Sequence, residues 1–159
     1  MTIEIRQTAL TDVENVLPIL LLAEESASAV RWSLNNLSDT LYRMDDDGVP
    51  IGAATLRWNS EPCEILELAI VKDRQGQGLG KQFINYLLAE GRRRGKTELL
   101  VGTATSSAEN IIFYQRCGFR MHQVRQDYFW YYSEPIFVNG IRLRDMIVFR
   151  YDLTEDPAA

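Results

Sequence analysis

The chain has 159 residues, 46% of them hydrophobic and 25% charged, with a formal net charge of -5. That length fits one domain with its own apolar core, 1–159, and the balance excludes a disordered chain. The acidic excess excludes a nucleic-acid binder, because phosphate backbones are gripped by clustered lysine and arginine.

Two cysteines, Cys63 and Cys117, and a single histidine, His122, cannot be spaced into a zinc site, so no metal is expected. The thiols read as reduced and packed. The longest apolar run, 16–23, is far short of the roughly 20 residues of a membrane span. Glu4, Arg6 and Asp12 break any signal-peptide core, which leaves a cytoplasmic protein as the expectation.

In chain order, 3–6 alternates as a short strand. Thr11 reads as the cap of a helix over 12–25, with Val13, Val16, Leu17, Leu20 and Leu21 on one face. A weaker helix follows over 26–34. The segments 40–45 and 51–58 flank Asp47-Gly48, a hairpin signal. Residues 63–71 form an apolar, central strand. The glycine-rich segment Gln75-Gly76-Gln77-Gly78-Leu79-Gly80 then opens a helix over 79–94, with Leu79, Phe83, Tyr86 and Leu87 facing the core and Gly95 ending it.

A strand is expected over 98–102. Ser106 and Glu109 have capping-box spacing, starting a helix that runs to Cys117 and stops at Gly118. Strands over 119–126 and 141–151 enclose the aromatic segment Tyr128–Tyr132 and a turn at Asn139-Gly140. The fold class is α/β in the broad sense (α+β): about seven strands in a mixed, mostly antiparallel sheet. The strand–helix–strand unit in the middle contributes one parallel pair.

The glycine segment carries the chemistry. A strand, a glycine turn and a helix start gather free backbone N–H groups around one point. The helix end adds roughly half a positive charge there, which makes a site for a phosphate or pyrophosphate. A P-loop needs Lys-Ser or Lys-Thr after its last glycine, and here Lys81 is followed by Gln82. A dinucleotide fingerprint wants two residues between its last two glycines, and Gly78 and Gly80 have one.

The pattern Gln75-x-x-Gly78-x-Gly80 resembles the Gln/Arg-x-x-Gly-x-Gly/Ala motif of the GNAT family of N-acetyltransferases. The run Phe113-Tyr114-Gln115-Arg116-Cys117-Gly118-Phe119 is similar to that family's Phe-Tyr-x-x-x-Gly-Phe signature. Both motifs lie on consecutive units in the family's order, and the resemblance spans the whole chain. It implies the GNAT fold, with helices on both faces of the sheet.

It also implies acetyl-CoA as cosubstrate. Pantetheine would pair with the backbone of Ile70 and Val71 between two splayed strands. Gln75, Gly76, Gln77, Gly78, Leu79, Gly80 and Lys81 would hold the pyrophosphate. Where the family often places a cofactor-contacting Asn, this chain has Ser107; Asn110 stands one turn later, and Phe113 opens the second motif.

The implied reaction is direct attack of an amine on the thioester, which sets two proton tasks. An alkylamine with a pKa near 10 must lose a proton first. Glu64 and Glu67 are the candidate bases, expected on opposite faces of the strand because side chains alternate. Glu64 ranks first, since it aligns with the catalytic glutamate of the family's histone-modifying members. Tyr114, at the family's acid position, would protonate the departing thiolate.

The expected acceptor is the amine of a small molecule or peptide, and the family often forms homodimers. The rival expectation is a non-catalytic acyl-CoA-binding regulatory or interaction module on the same fold. Arg92-Arg93-Arg94 lies about 20 Å from Gly80 at 1.5 Å per residue. It is expected to complement the helix dipole instead.

Overall fold

The computed structural model describes residues 1–155. Its strands are β1 (Ile3–Thr8), β2 (Thr40–Asp46), β3 (Val49–Arg57), β4 (Cys63–Ile70), β5 (Glu98–Ala104), β6 (Arg120–Arg125), β7 (Phe137–Val138), β8 (Ile141–Arg142) and β9 (Met146–Asp152). Its helices are α1 (Val13–Leu20), α2 (Ala27–Asn36), α3 (Leu79–Arg93) and α4 (Ala108–Arg116). Seven strands make one sheet in the order β1-β2-β3-β4-β5-β9-β6, and β7 and β8 form a separate hairpin. Only β4 and β5 are parallel; α3 is the crossover that a parallel pair requires.

The β2–β3 turn follows from Asp47-Gly48, whose φ angles of 49° and 83° fit a two-residue hairpin turn. Alternation in β3 then builds two cores. Ala54 and Leu56 join β4, α3 and α4 residues such as Ile65, Phe83, Leu87 and Tyr114 on one face. Ala53 joins Val16, Leu20, Val30 and Leu34 of α1 and α2 on the other. Helices therefore cover both faces, as expected.

Three local expectations change. The first helix does not run from 12 to 25. Leu10–Asp12 is a 3-10 turn, Thr11 caps nothing, and α1 ends at Leu20. Pro18 inside it lacks an N–H and crowds the preceding turn, and the chain then leaves the helix through tighter bonds such as Leu22 N–H to Ile19 O, 3.0 Å. Ser26 caps α2, its Oγ accepting the Ala29 N–H at 3.2 Å.

The Ser106–Glu109 capping box is absent. Ser107 occupies the cap position without a side-chain bond, and the buried Ser106 Oγ has no partner among the described residues. The last strand is broken, because 141–142 pairs with 137–138 across the Asn139-Gly140 turn and β9 starts only at Met146. Tyr86, partly buried, packs against the core, as expected.

Candidate active site

The candidate site is built where β4 and β5 separate. They pair only over Cys63–Ile65 and Leu99–Val101. Beyond that point β4 continues to Ile70 against β3, and β5 to Ala104 against β9. The facing edges diverge, leaving Leu66–Ile70 with one bare side. Val71 lies past this edge with its backbone engaged: its N–H donates to Ile51 O at 2.9 Å and its O accepts the Arg74 N–H at 3.0 Å. Ile70 closes the bare edge, and Val71 follows it with its N–H and its O each bonded within the chain.

Between β4 and α3 the chain makes a 3-10 turn over Lys72–Arg74, which the sequence reading lacked. Gln75 folds back, its Nε2 donating to Ile70 O at 2.9 Å, and Arg74 is tied to Asp46 at 2.8 Å. Gly76 and Gly78 have φ of 76° and 79°, which only glycine adopts freely. Gly78 caps α3 without a side chain, and Gln82 N–H to Gly78 O is the helix's first internal bond. Among the described residues, no amide from Gly76 to Lys81 donates to a backbone carbonyl. These donors lie at and just before the positive end of a 15-residue helix, with Lys81 in its first turn.

Gly80 has a different reason to be glycine. A Cβ there would meet two atoms of the Phe113 ring at 3.1 Å. The ring packs under the start of α3 and joins the glycine loop to α4. One turn earlier, Asn110 donates to Thr103 Oγ1 of β5 at 3.2 Å, while Ser107 makes no side-chain cap. Tyr114 is buried between Phe113, Phe119 and Phe149, with ring centroids at 5.1, 5.8 and 5.8 Å. Burial pushes its phenol well above the usual range, so it stays protonated.

The two carboxylates depart from the expected geometry. Leu56 pairs with Ile65 and Thr55 with Glu67, so Leu66 is an extra residue, a β-bulge. Cys63 and Ile65 face the α3–α4 core, and after the bulge so do Leu68 and Ile70. The bulge thus reverses the alternation and puts Glu64 and Glu67 on the same face, toward α1 and α2. Opposite faces would have required an unbroken strand.

Their environments differ. Glu64 is ion-paired with Arg125 Nη1 at 2.9 Å. Glu67 is 8% exposed and takes a hydrogen bond from Thr55 Oγ1, which accepts the Glu67 N–H at 3.1 Å. Burial foremost, helped by the charge of Glu24, pushes the Glu67 carboxyl up to about 8.

Several residues here were not singled out by sequence. Arg125 also lies over the Tyr128 ring at 6.0 Å. Thr55 is the partner of Glu67. Glu24 accepts the hydroxyls of Tyr131 (2.9 Å) and Tyr132. The aromatic run is plain in the sequence; its anchor on the α1–α2 turn, more than 100 residues away in sequence, had no local signal. The remaining candidates stay outside. Arg93 and Arg94 pair with Glu90 at the end of α3, Cys117 is buried, and His122 is exposed. No cluster of three or more metal-binding side chains occurs among the described residues, and none of its helices is long and apolar enough to cross a membrane.

A model of the acetyltransferase (GNAT) family matches residues 7–119. The uncharacterised N-acetyltransferase YvbK of Bacillus subtilis is 34% identical over 99 residues, covering 62% of this chain and 64% of that protein. The chain thus spans a little under two thirds of that curated relative. Among solved structures, the IAA acetyltransferase from Bacillus cereus superposes with a TM-score of 0.85 at 29% identity, over 95% of this chain and 99% of that one. A GNAT family acetyltransferase from Elizabethkingia anophelis with acetyl-CoA bound gives 0.86 at 29% identity, over 94% and 97%. Family model, whole-chain superposition and the splayed β4–β5 gap agree, and the chain belongs to the acetyltransferase (GNAT) family.

Proposed function

We propose that the protein is an enzyme that transfers the acetyl group of acetyl-CoA to an amine of a small molecule or peptide. The observation that carries this reading is the gap between β4 and β5; Tyr114 on the α3–α4 side would serve as proton donor and Glu67 on the other face as proton acceptor. The residues fit the donor molecule. Free amides from Gly76 to Lys81, with Gln75 bracing the loop, suit a pyrophosphate. The bare edge Leu66–Ile70 suits the amide-bearing pantetheine arm, and Asn110 and Phe113, with Ser107 at the cap, line the α4 side.

Acetyl-CoA, when bound, supplies an activated thioester carbonyl. Glu67 is the base we favour over Glu64, because Arg125 already compensates Glu64 whereas burial raises the proton affinity of Glu67. Glu67 takes a proton from the acceptor ammonium, and the freed nitrogen lone pair forms the C–N bond as the C–S bond breaks. Tyr114 gives its proton to the leaving sulfur and regains one from the nitrogen, which has a second proton to lose. Acetamide, free thiol and one proton on Glu67 balance the reaction.

Purified protein with acetyl-CoA and a panel of primary amines tests the reading through thiol release. An amine-dependent signal is expected. Cofactor binding without turnover on any amine would favour the non-catalytic module. A homodimer is carried by the family resemblance alone, and light scattering checks it.

A further inference from the structure

Glu24 sits in the turn after α1, in none of the family's sequence motifs, yet three donors converge on it. Tyr131 Oη donates to Oε2 at 2.9 Å, Tyr132 Oη donates to Oε1, and the Ser26 N–H donates to Oε1 at 3.2 Å. The two phenols belong to a segment held at its other end by Asp127 N–H to Asp145 Oδ1 (2.8 Å) and Phe129 N–H to Arg144 O (3.2 Å). Within it the rings pack on one another, Tyr131 against Tyr132 at 4.6 Å and Tyr128 against Phe129 at 5.1 Å. Tyr128 lies beside Arg125 and within the field of Glu64 and Glu67. The segment 127–132 therefore crosses the carboxylate face of the gap, and Glu24 pins its free side.

We propose that Glu24 is a positioning residue of the reaction centre: its carboxylate latches the aromatic segment through Tyr131 and Tyr132, closing the α1–α2 side of the site, and adds its charge to the surroundings of Glu67. This rests on the assignment of the carboxylate face as the acceptor side. The latch excludes water from that side, which sustains the low-dielectric surroundings of Glu67. The charge adds to the burial effect and favours the protonated form of Glu67. Thr55 on β3 bonds Glu67; Ser33 on α2, Glu24 in the turn and Tyr128 in the aromatic segment are coupled to its charge, and Glu64 with its partner Arg125 lies on the same face of β4.

Three variants separate latch from charge. Glu24→Gln keeps an acceptor for the phenols and removes the charge; Glu24→Ala removes both. Tyr131→Phe/Tyr132→Phe removes the latch and keeps the charge. Carboxyl-detected NMR of the intact protein follows the titration of Glu67, and hydrogen exchange follows the amides of Phe129 and Tyr132. In Glu24→Gln the Glu67 midpoint should fall by roughly half a pH unit or more, since a like charge is gone. In Glu24→Ala and the double phenylalanine variant those amides should exchange about tenfold faster, the effect of losing one or two hydrogen bonds.

An unchanged Glu67 midpoint in Glu24→Gln overturns the electrostatic half. Unchanged exchange in both latch variants overturns the other. Neither readout needs an acceptor, so a failure of acetyl transfer would be seen separately, in the thiol-release assay. Where an amine is turned over, Glu24→Ala should raise its KM more than it lowers kcat, which a merely structural residue would not do.

Discussion

Glu67 and Glu64 carry the same functional group three residues apart on one strand, and their surroundings give them different work. Glu64 meets a guanidinium and stays an ion-pair partner. Glu67 is sealed under α1 and α2, where its ionised form is penalised. If Glu67 is the base, kcat/KM should rise with pH through about 8. Glu67→Gln should abolish that limb and lower turnover about 10²-fold or more, measured by thiol release over a pH series.

The same residue makes a stability prediction. Folded Glu67 holds its proton up to about 8, against 4.5 ordinarily, so between those values the folded chain binds more protons than the unfolded one. Stability must then fall as pH rises across that window, and the fall should be smaller in Glu67→Gln, as urea titrations would read. Tyr114→Phe keeps the packing with Phe113, Phe119 and Phe149 and removes only the donor. It should cost turnover roughly 10²-fold with acetyl-CoA affinity retained, and wild-type turnover would return Tyr114 to the core.

At the level of elements, the glycine loop and α4 are one assembly, because Phe113 packs on Gly80. Glycines two residues apart should therefore fail for different reasons. Gly80→Val drives a side chain into the Phe113 ring and should lower both stability and cofactor affinity. Gly78→Ala meets no neighbour within 4 Å, but its φ of 79° strains an L residue. It should cost about 1–2 kcal/mol in urea unfolding while leaving room for the anion. Calorimetry with coenzyme A alongside the unfolding curves separates the two. Equal affinity losses in both variants would mean that Cβ approach to the ligand dominates instead.

For the whole molecule, the decisive feature is that the sheet opens where its two faces must communicate. Tyr114 belongs to the α3–α4 face and Glu67 to the α1–α2 face, and a closed sheet would keep a backbone layer about 5 Å wide per strand between them. In the reaction we propose, the gap is where the two would act on one carbonyl carbon from opposite sides. Coenzyme A should accordingly slow hydrogen exchange in two separated stretches, 66–70 and 76–81, while amides in the β1–β2 pair stay unchanged. Protection confined to the glycine loop would show that the gap does not hold the pantetheine arm.

What the sequence determined by itself were the features with local causes. The Asp47-Gly48 hairpin and the glycine loop follow from φ preferences, and α3 from helical periodicity ended by Gly95, whose φ is 72°. Tyr114 was legible through the motif around it. What only the tertiary structure decided has partners distant along the chain. The bulge at Leu66 comes from a mismatch between β3 and β4, and a one-residue slip exchanges the faces of everything beyond it, so no reading of β4 alone could put Glu67 beside Glu64. The early end of α1 places Glu24 under Tyr131 and Tyr132, and the proton affinity of Glu67 depends on how deeply α1 and α2 bury it. Burial and charge act through space, and a one-dimensional pattern records neither.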